Sequence, residues 1–402
     1  MRSVEEKFLK LGVDNAPGQE GRQKVEKLNL IGEPLKGPYI DFSHGDVDAF
    51  EPIPGVLGDV VEGIWSGGIQ AYTEYRGRSD IREELAKKLS DFIGVTVDGK
   101  DGLIITPGTQ GALFLAMGAT FAEGDKVAII EPDYFANRKL VEFFGGEMIP
   151  VSLHYKEEKG AGLDLSGLEE AFKNGVKVFL FSNPNNPTGV VYSGEEIKSI
   201  GKLAKKYNVT VIADELYSRQ IFENRPYAHL YAQEERPEHM VTIIGPSKTE
   251  SLSGYRLGVA FGDSIIIARM EKLQAIVSLR APGYSQAALH KWFAEPEGWM
   301  KDRIQQHQDI RDELISILHT VEGLYVRPTE AGSYLFPELP EMKVGIGEFC
   351  KIARLHANAV ITPGTEFGPQ FTNSFRINFS QDRKKAKAAI ERIVELIKRY
   401  RK

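Results

Sequence analysis

Short apolar runs alternate with amphipathic stretches between about residues 80 and 262. Four of the runs are almost continuously apolar, at Lys126–Glu131, Val176–Ser182, Val209–Asp214 and Met240–Gly245. Strands have this pattern when helices cover both of their faces, whereas a strand with one wet face alternates apolar and polar residues. The alternation therefore predicts an α/β fold in which helices sandwich a mostly parallel central sheet.

The pattern changes after Pro282, where two long helical stretches at about 285–320 and 382–401 flank short strands. The strand signals lie at 332–336, 359–362 and 374–379. This order is typical of an α+β arrangement. We therefore expect a large domain over residues 51–290 and a smaller C-terminal α+β domain over 291–402. Residues 1–50 are expected to form an N-terminal segment that packs with the small domain.

Composition and charge exclude several classes of protein. With 42% hydrophobic and 26% charged residues, the 402-residue chain resembles an ordinary globular protein. One cysteine, Cys350, excludes a disulfide framework, and the eight histidines show no zinc-binding spacing, so no metal site is expected. A net charge of −6 argues against a nucleic-acid partner. Neither a signal-peptide pattern nor an apolar run near the ~20 residues of a membrane span is visible, so a cytoplasmic location is expected.

The segments that follow the predicted strands contain the candidate chemistry, because ligands of open α/β sheets bind beyond the carboxyl ends of the strands. The turn at Gly108, which opens a helix, could bind an anion or could be an ordinary turn. Asp214 could face a ligand or cap a helix, and Lys248 could be catalytic or a solvated surface lysine. A nucleotide-binding P-loop is excluded because Ser247, rather than glycine, precedes the lysine.

Taken together, these segments resemble the class I/II aminotransferases, which are fold-type-I enzymes that use pyridoxal 5′-phosphate. The resemblance rests on N-P-x-N-P-T-G at 183–189, D-E-x-Y at 214–217, S-K at 247–248 and G-x-R-x-G at 254–258. It extends from Gly45 to Arg376. It implies an enzyme that moves the α-amino group of an amino acid to a 2-oxo acid by a ping-pong mechanism.

The resemblance also implies roles for the residues of these motifs. Lys248 would hold the cofactor as a Schiff base and then act as general acid and base. Asp214 would keep the pyridine nitrogen protonated, while Asn186 and Tyr217 would hydrogen-bond the 3′-oxygen of the ring. Arg256 would bind the phosphate.

Further site residues follow from the same resemblance. Backbone N–H groups of Gly108, Thr109 and Gln110 would donate to the phosphate, and the ring of Tyr134 would stack on the cofactor. The substrate carboxylate would lie against Gly45 and bind Arg376, next to Asn186; a buried structural ion pair is the alternative role of this arginine. Tyr72 would reach the phosphate of a neighbouring subunit, which implies a homodimer with active sites at the interface.

The chain departs from the family pattern at Gly245, where the family often has a phosphate-binding serine. Ser247 or Thr249 could replace it. Arg280 lies near the position where aspartate-type enzymes place an arginine for the second substrate carboxylate, but a surface arginine fits equally well. His44, Tyr75 and Arg76 could also line the pocket for the substrate side chain.

Two other functions stay open at this point. A β-eliminating C–S lyase, or another enzyme of carbanion chemistry, would use the same lysine, aspartate and arginine, because fold does not determine function. A binding protein without catalysis could retain the same scaffold. A stable pyridoxamine form after a donor is added would distinguish transamination from elimination, which releases pyruvate and ammonia.

Overall fold

A seven-stranded sheet forms the centre of the protein, whose computed structural model describes residues 3–12, 28–45, 49–68, 72–157 and 160–402. Its strands are β2 (Leu103–Pro107), β3 (Lys126–Glu131), β4 (Glu147–Ser152), β5 (Val178–Ser182), β6 (Thr210–Asp214), β7 (Met240–Ile244) and β8 (Leu257–Gly262). They are ordered β2-β8-β7-β6-β5-β3-β4. Strand β8 runs antiparallel to both of its neighbours, β2 and β7, and the other neighbouring strands of this sheet are parallel to each other. The mostly parallel sheet predicted from the sequence is confirmed.

Helices cover both faces of this sheet. Those of the region up to residue 290 are α1 (Val4–Leu11), α2 (Val56–Gly63), α3 (Ser79–Ile93), α4 (Gly108–Thr120), α5 (Phe135–Phe143), α6 (Leu165–Lys173), α7 (Gly194–Tyr207), α8 (Ser264–Val277) and α9 (Gly283–Gln286). Successive residues of β3 show the two faces: Val127 and Ile129 belong to one apolar cluster, whereas Ala128 and Ile130 belong to another. Burial on both faces explains why the strands are continuously apolar.

The order of the strands determines where a ligand can bind. From β3 the chain moves outward to β4, and it then returns to the other side of β3 and continues through β5, β6 and β7. The connections therefore leave in opposite directions at the carboxyl ends of β3 and β5. A crevice forms at such a switch point, and it is the usual ligand site of an open α/β sheet.

A smaller region packs around two short sheets. Its elements are β1 (Ile40–Asp41), α10 (Trp299–Leu318), β9 (Tyr334–Leu335), α11 (Ile346–His356), β10 (Ala359–Val360), β11 (Thr362–Pro363), β12 (Phe375–Asn378) and α12 (Arg383–Tyr400). β1 pairs with β10, and β12 lies between β11 and β9. Their core contains Phe349, Phe375, Ile377 and Tyr400.

The structure corrects parts of the sequence interpretation. The helix expected from about residue 285 begins only at Trp299, after Pro296 and Gly298, whose φ of 83° lies in the left-handed region. The strand β4 was missed because it lies at the sheet edge and most of its side chains are partly exposed. Among the described residues no helix has the length and apolarity of a membrane span.

The N-terminal residues pack in two places. Helix α1 lies against α5, where Lys10 pairs with Glu142 at 2.6 Å and Lys139 Nζ donates to the Gly12 carbonyl at 2.7 Å. Residues 28–45 instead contact the smaller region, as in the 3.1 Å hydrogen bond from Ile40 N to the Asn358 carbonyl. The limits of the three expected domains stay a prediction.

Candidate active site

A cavity of about 260 Å³ opens at the carboxyl ends of the central strands. It brings together eleven of the residues singled out from the sequence: His44, Thr109, Gln110, Tyr134, Asn186, Asp214, Tyr217, Ser247, Lys248, Arg256 and Arg376. Gly45 lines an adjoining cavity of about 530 Å³. His44, Ser247 and Lys248 line both cavities, so the two spaces meet at the lysine. Tyr72 lines neither.

The first turn of α4 and the side chain of Arg256 form an anion cradle. Gly108 has a φ of +77°, and a Cβ at this residue would lie 2.5 Å from Arg256 Nη2. The guanidinium therefore lies directly against the backbone where α4 begins, and Arg256 Nη1 donates to the Ser253 carbonyl at 2.9 Å. The helix N-terminus and the guanidinium are both positive, so together they suit a phosphate group.

The structure explains the glycine at position 245. A Cβ there would lie 2.7 Å from Thr109 Cγ2, so the threonine side chain occupies the space that a serine would need. Ser247 lies in the cavity, and its hydroxyl donates to the Leu257 carbonyl at 3.3 Å. Thr249 is buried instead, with its hydroxyl bonded to Gln220 Oε1 at 3.3 Å. Of the two candidates to replace the serine, only Ser247 reaches the cavity.

Asp214 ends strand β6 and presents its carboxyl group to the cavity. Its Oδ1 accepts a hydrogen bond from Leu216 N at 3.1 Å in the turn that follows the strand, and no helix begins there for it to cap. Burial, helped by the neighbouring Glu215 carboxylate, raises the pKa of Asp214 to about 6 despite this bond. Among the described residues no cation pairs with it, so a protonated ring nitrogen in the cavity would supply the missing charge.

Arg376, in β12, is buried with an unused hydrogen-bond donor. Its Nη1 donates to Asn186 Oδ1 at 3.0 Å and its Nη2 to the Ser43 carbonyl at 2.8 Å. Its Nε has no partner, although the residue is only 2% exposed. The rings of Tyr334 and Phe367 lie 4.3 and 4.7 Å from the guanidinium. No carboxylate of the described residues forms an ion pair with this arginine, so its charge is available to an anionic ligand.

A hydrogen-bond network that sequence reasoning missed holds two of the predicted residues in place. The Asp133 carboxylate accepts bonds from Ser182 N at 3.0 Å, from the Ser182 hydroxyl, and from Tyr134 N at 2.6 Å. Ser182 Oγ in turn accepts a bond from Asn186 N at 3.2 Å. Burial raises the pKa of Asp133 to about 7. The aspartate is visible beside Tyr134 in the sequence, but its partner lies 49 residues away.

Tyr134 and Gln110 are joined by a hydrogen bond in the wall of the cavity. The tyrosine hydroxyl donates to Gln110 Oε1 at 2.9 Å. This bond joins the end of β3 to the first turn of α4. The ring of Tyr134 therefore forms a wall of the cavity, as a stacking position requires.

Tyr72 and Arg280 lie together, away from the cavity of their own chain. The Arg280 guanidinium is 4.2 Å from the Tyr72 ring and 4.7 Å from the Tyr75 ring. Tyr72 is 81% exposed. The Nε and Nη1 atoms of Arg280 are buried without a hydrogen-bond partner. Arg76 points elsewhere and pairs with Glu271 at 2.6 Å, so neither Tyr75 nor Arg76 lines the cavity.

Comparisons with known proteins agree with one another. A family model for aminotransferase class I and II matches residues 39–393, which include every predicted site residue. A crystal structure described as an aspartate aminotransferase from Rhodobacter sphaeroides 2.4.1 is 61% identical, with all of both chains covered and a TM-score of 0.94. The aspartate aminotransferase of Sulfolobus acidocaldarius is 30% identical, over 82% of this chain and 83% of that protein. Aromatic-amino-acid aminotransferase 2 of Thermococcus litoralis is 23% identical, over 93% and 95%.

Proposed function

The chain belongs to the class I and II aminotransferase family, and on this basis we propose that Lys248, Asp214, Arg256 and Arg376 carry out the transamination of aspartate. The family fixes the general reaction: the enzyme depends on pyridoxal 5′-phosphate and transfers an amino group between an amino acid and a 2-oxo acid. The assignment of residues rests mainly on one observation, which is that these four side chains line a single cavity.

The polar and charged groups that line the cavity fit pyridoxal 5′-phosphate. When bound, this group supplies an aldehyde that condenses with amines and a ring that accepts electrons from the substrate α-carbon. The cradle of Arg256 and the α4 N-terminus, which a Cβ at Gly108 would fill, suits the phosphate. The unpaired carboxyl group of Asp214 suits the ring nitrogen, and Asn186 and Tyr217 have polar atoms for the ring oxygen.

Lys248 is proposed to move the proton that transamination requires. Its amine lies where the two cavities meet, within reach of groups bound in either. An uncharged amine can take a proton from the substrate α-carbon and return it to a neighbouring atom. Asp133 and Asn186 would hold the surrounding loops, so that the base keeps its position during the reaction.

Arg376 is proposed to bind the substrate α-carboxylate. Its two hydrogen bonds to Asn186 and Ser43 fix the plane of the guanidinium, while its buried Nε lacks a partner. A carboxylate paired with this fork would be held firmly, because two parallel N–H···O bonds restrict both its position and its orientation. Aspartate as the donor is supported by the names of the 61% identical structure and the 30% identical relative.

We propose that two copies of the chain form a homodimer in which each completes the active site of the other. Large apolar side chains are exposed on and around α2 and at the end of α8: Leu57, Val61, Trp65, Ile276 and Val277. Such a patch is unusual on a monomer. Tyr72 and Arg280 lie together, and both face away from their own cavity, as residues that serve the partner's cavity would. The cytoplasmic location expected from the sequence stays a prediction.

A half-reaction tests the proposed function. Purified protein loaded with pyridoxal 5′-phosphate is mixed with one amino acid at a time, without a 2-oxo acid, and the absorbance spectrum is followed. We expect aspartate to convert the cofactor to its pyridoxamine form, and added 2-oxoglutarate to reverse the change. An unchanged spectrum with aspartate but conversion by an aromatic amino acid would refute the substrate. Release of pyruvate and ammonia from an unchanged spectrum would instead favour the lyase.

Mixing two inactive variants tests the shared site. Lys248→Ala should be inactive, and Arg280→Ala should lose most activity towards aspartate. In a mixed dimer one site carries both changes, and the other is intact if Arg280 acts across the interface. We expect refolding of an equal mixture to restore about a quarter of the wild-type activity, since about half of the dimers are mixed and each has one intact site. Failure to restore activity would mean that Arg280 does not serve the partner's site.

A further inference from the structure

Tyr334 presents a hydroxyl group to the cavity for which the proposed chemistry has so far given no role. The residue lies in β9, which pairs with β12 so that Tyr334 is opposite Asn378. It is 5% exposed and lines the cavity. Its ring lies 4.3 Å from the guanidinium of Arg376, and its Oη accepts a hydrogen bond from the Tyr217 hydroxyl at 2.9 Å.

The packing of the ring does not explain the hydroxyl. Phenylalanine would make the same contact with the guanidinium of Arg376, because the contact is with the face of the ring. Burying a hydroxyl group costs free energy unless it forms a hydrogen bond. The partner that it has is Tyr217, a residue that the proposed function places at the ring oxygen of the cofactor.

The surroundings make the two phenols unequal. The titratable and charged groups that act on Tyr334 are Tyr217, Lys248 and Arg376. Burial raises the pKa of Tyr334, but the cations of Arg376 and Lys248 and the hydrogen bond from Tyr217 outweigh it, so that its pKa falls. Burial and the neighbouring Tyr334 raise the pKa of Tyr217 well above its usual value. Tyr334 is therefore the more acidic phenol of the pair.

We propose that Tyr334 is a positioning residue: when the Tyr217 hydroxyl donates to the ring oxygen of the bound cofactor, the Tyr334 hydroxyl turns and donates to the Tyr217 oxygen in its place. This inference rests on the proposed function, since it assumes that pyridoxal 5′-phosphate occupies the cavity. A donor that itself accepts a hydrogen bond donates more strongly, because each bond polarises the next. Tyr334 thus acts on the cofactor through Tyr217 and need not touch it.

The inference predicts a change in the ionisation of the bound cofactor. A hydrogen bond donated to the ring oxygen stabilises the negative charge of that oxygen, which is present in the unprotonated, high-pH form. The absorbance of the bound cofactor changes with pH as the cofactor ionises, and weakening this bond should raise the pH at which that change is half complete. The loss of one hydrogen bond of ordinary strength corresponds to about 0.7 pH unit. We expect Tyr334→Phe to raise the midpoint by up to that amount and Tyr217→Phe to raise it at least as far.

A pH titration of the cofactor absorbance tests whether Tyr334 acts through Tyr217. It uses four proteins loaded with pyridoxal 5′-phosphate: the wild type, Tyr334→Phe, Tyr217→Phe and the double variant. If Tyr334 acts through Tyr217, the double variant should have the midpoint of Tyr217→Phe, because the second change then removes nothing further. Tyr207→Phe is the matched control, since it removes a hydroxyl that bonds Glu169 at 2.8 Å, away from the cavity. It should titrate like the wild type.

Two results would overturn the inference. A wild-type midpoint in Tyr334→Phe would mean that the hydroxyl does not influence the cofactor. An undiminished shift when Tyr334→Phe is added to Tyr217→Phe would mean that Tyr334 acts independently of Tyr217, for instance directly on Lys248. Failure of the proposed function would look different, because the wild-type protein would then bind no pyridoxal 5′-phosphate and show no visible absorbance band to titrate.

Discussion

Replacing Asp214 by asparagine should stabilise the cofactor-free protein while destroying its activity. The carboxyl group lies in the cavity without a cationic partner among the described residues. Burial raises its pKa from the ordinary 3.8 to about 6. A difference of two pKa units corresponds to ~3 kcal/mol between the protonation states. The ionised aspartate therefore reduces the free energy of unfolding by up to ~3 kcal/mol at neutral pH.

The sign of the pH dependence follows from the two pKa values. Below pH 3.8 the carboxyl group is protonated in both the folded and the unfolded chain, so it causes no penalty. As the pH rises from there to about 6, the unfolded chain ionises first and the relative stability of the folded protein falls. The amide side chain of Asp214→Asn would keep the acceptor for Leu216 N without the charge. The variant should therefore match the wild type near pH 4 and exceed it by up to ~3 kcal/mol near pH 7.5.

Urea unfolding of the cofactor-free proteins, followed by the fluorescence of the three tryptophans, measures this difference. The wild type and Asp214→Asn are compared at several pH values, so that the other titrating groups cancel. Asp91→Asn, which changes an exposed carboxylate, serves as control and should show no such pH-dependent gain. A stability difference for Asp214→Asn that does not grow between pH 4 and 7.5 would refute the reasoning. Transaminase activity should fall sharply in the same variant, because the ring nitrogen loses its anionic partner.

Four further substitutions test the cavity. Gly108→Ala should weaken cofactor binding at least tenfold (about 1.4 kcal/mol), because its Cβ would lie 2.5 Å from Arg256 Nη2 at a φ of +77°; fluorescence titration measures this, and unchanged affinity would contradict the cradle. Gly245→Ser should also weaken binding, since its Cβ would lie 2.7 Å from Thr109 Cγ2. Adding Thr109→Ser should restore the affinity, and equal affinities of the single and double variants would argue against this clash. Arg376→Lys should lower kcat/KM for aspartate by about 100-fold through loss of the two-pronged carboxylate bond; an unchanged kcat/KM in steady-state kinetics would contradict this role.

Much of the fold and many of the site residues could be predicted because their signals are local. The runs that became β3, β5, β6 and β7 are almost continuously apolar, and burial on both faces imposes that pattern strand by strand. Asp214 ends one of these strands, and Lys248 follows another within four residues. The carboxyl ends of parallel strands share one edge of a sheet, so the prediction that these side chains meet needed only the strand assignments.

Other features depend on residues far apart in the chain. The bond between Tyr217 and Tyr334 joins two segments 117 residues apart, and that between Arg376 and Asn186 spans 190 residues. Their formation depends on how the small sheets pack against the large one, and no pattern within either segment encodes that. The same holds for Gly245. In the sequence it is only a departure from the serine that the family often has, whereas the structure shows that the side chain of Thr109 occupies the space of that serine.

The amino-acid sequence by itself thus determined the α/β class, the helices and strands with strong periodicity, and the residues that follow each strand. Only the tertiary structure decided which of those residues face one cavity, which lie away from it, and which additional groups, such as Asp133, Ser182 and Tyr334, support them. The physical reason is the range of the interactions. Periodicity and capping act within a few residues, whereas the orientation of a buried side chain is set by whatever the fold packs against it.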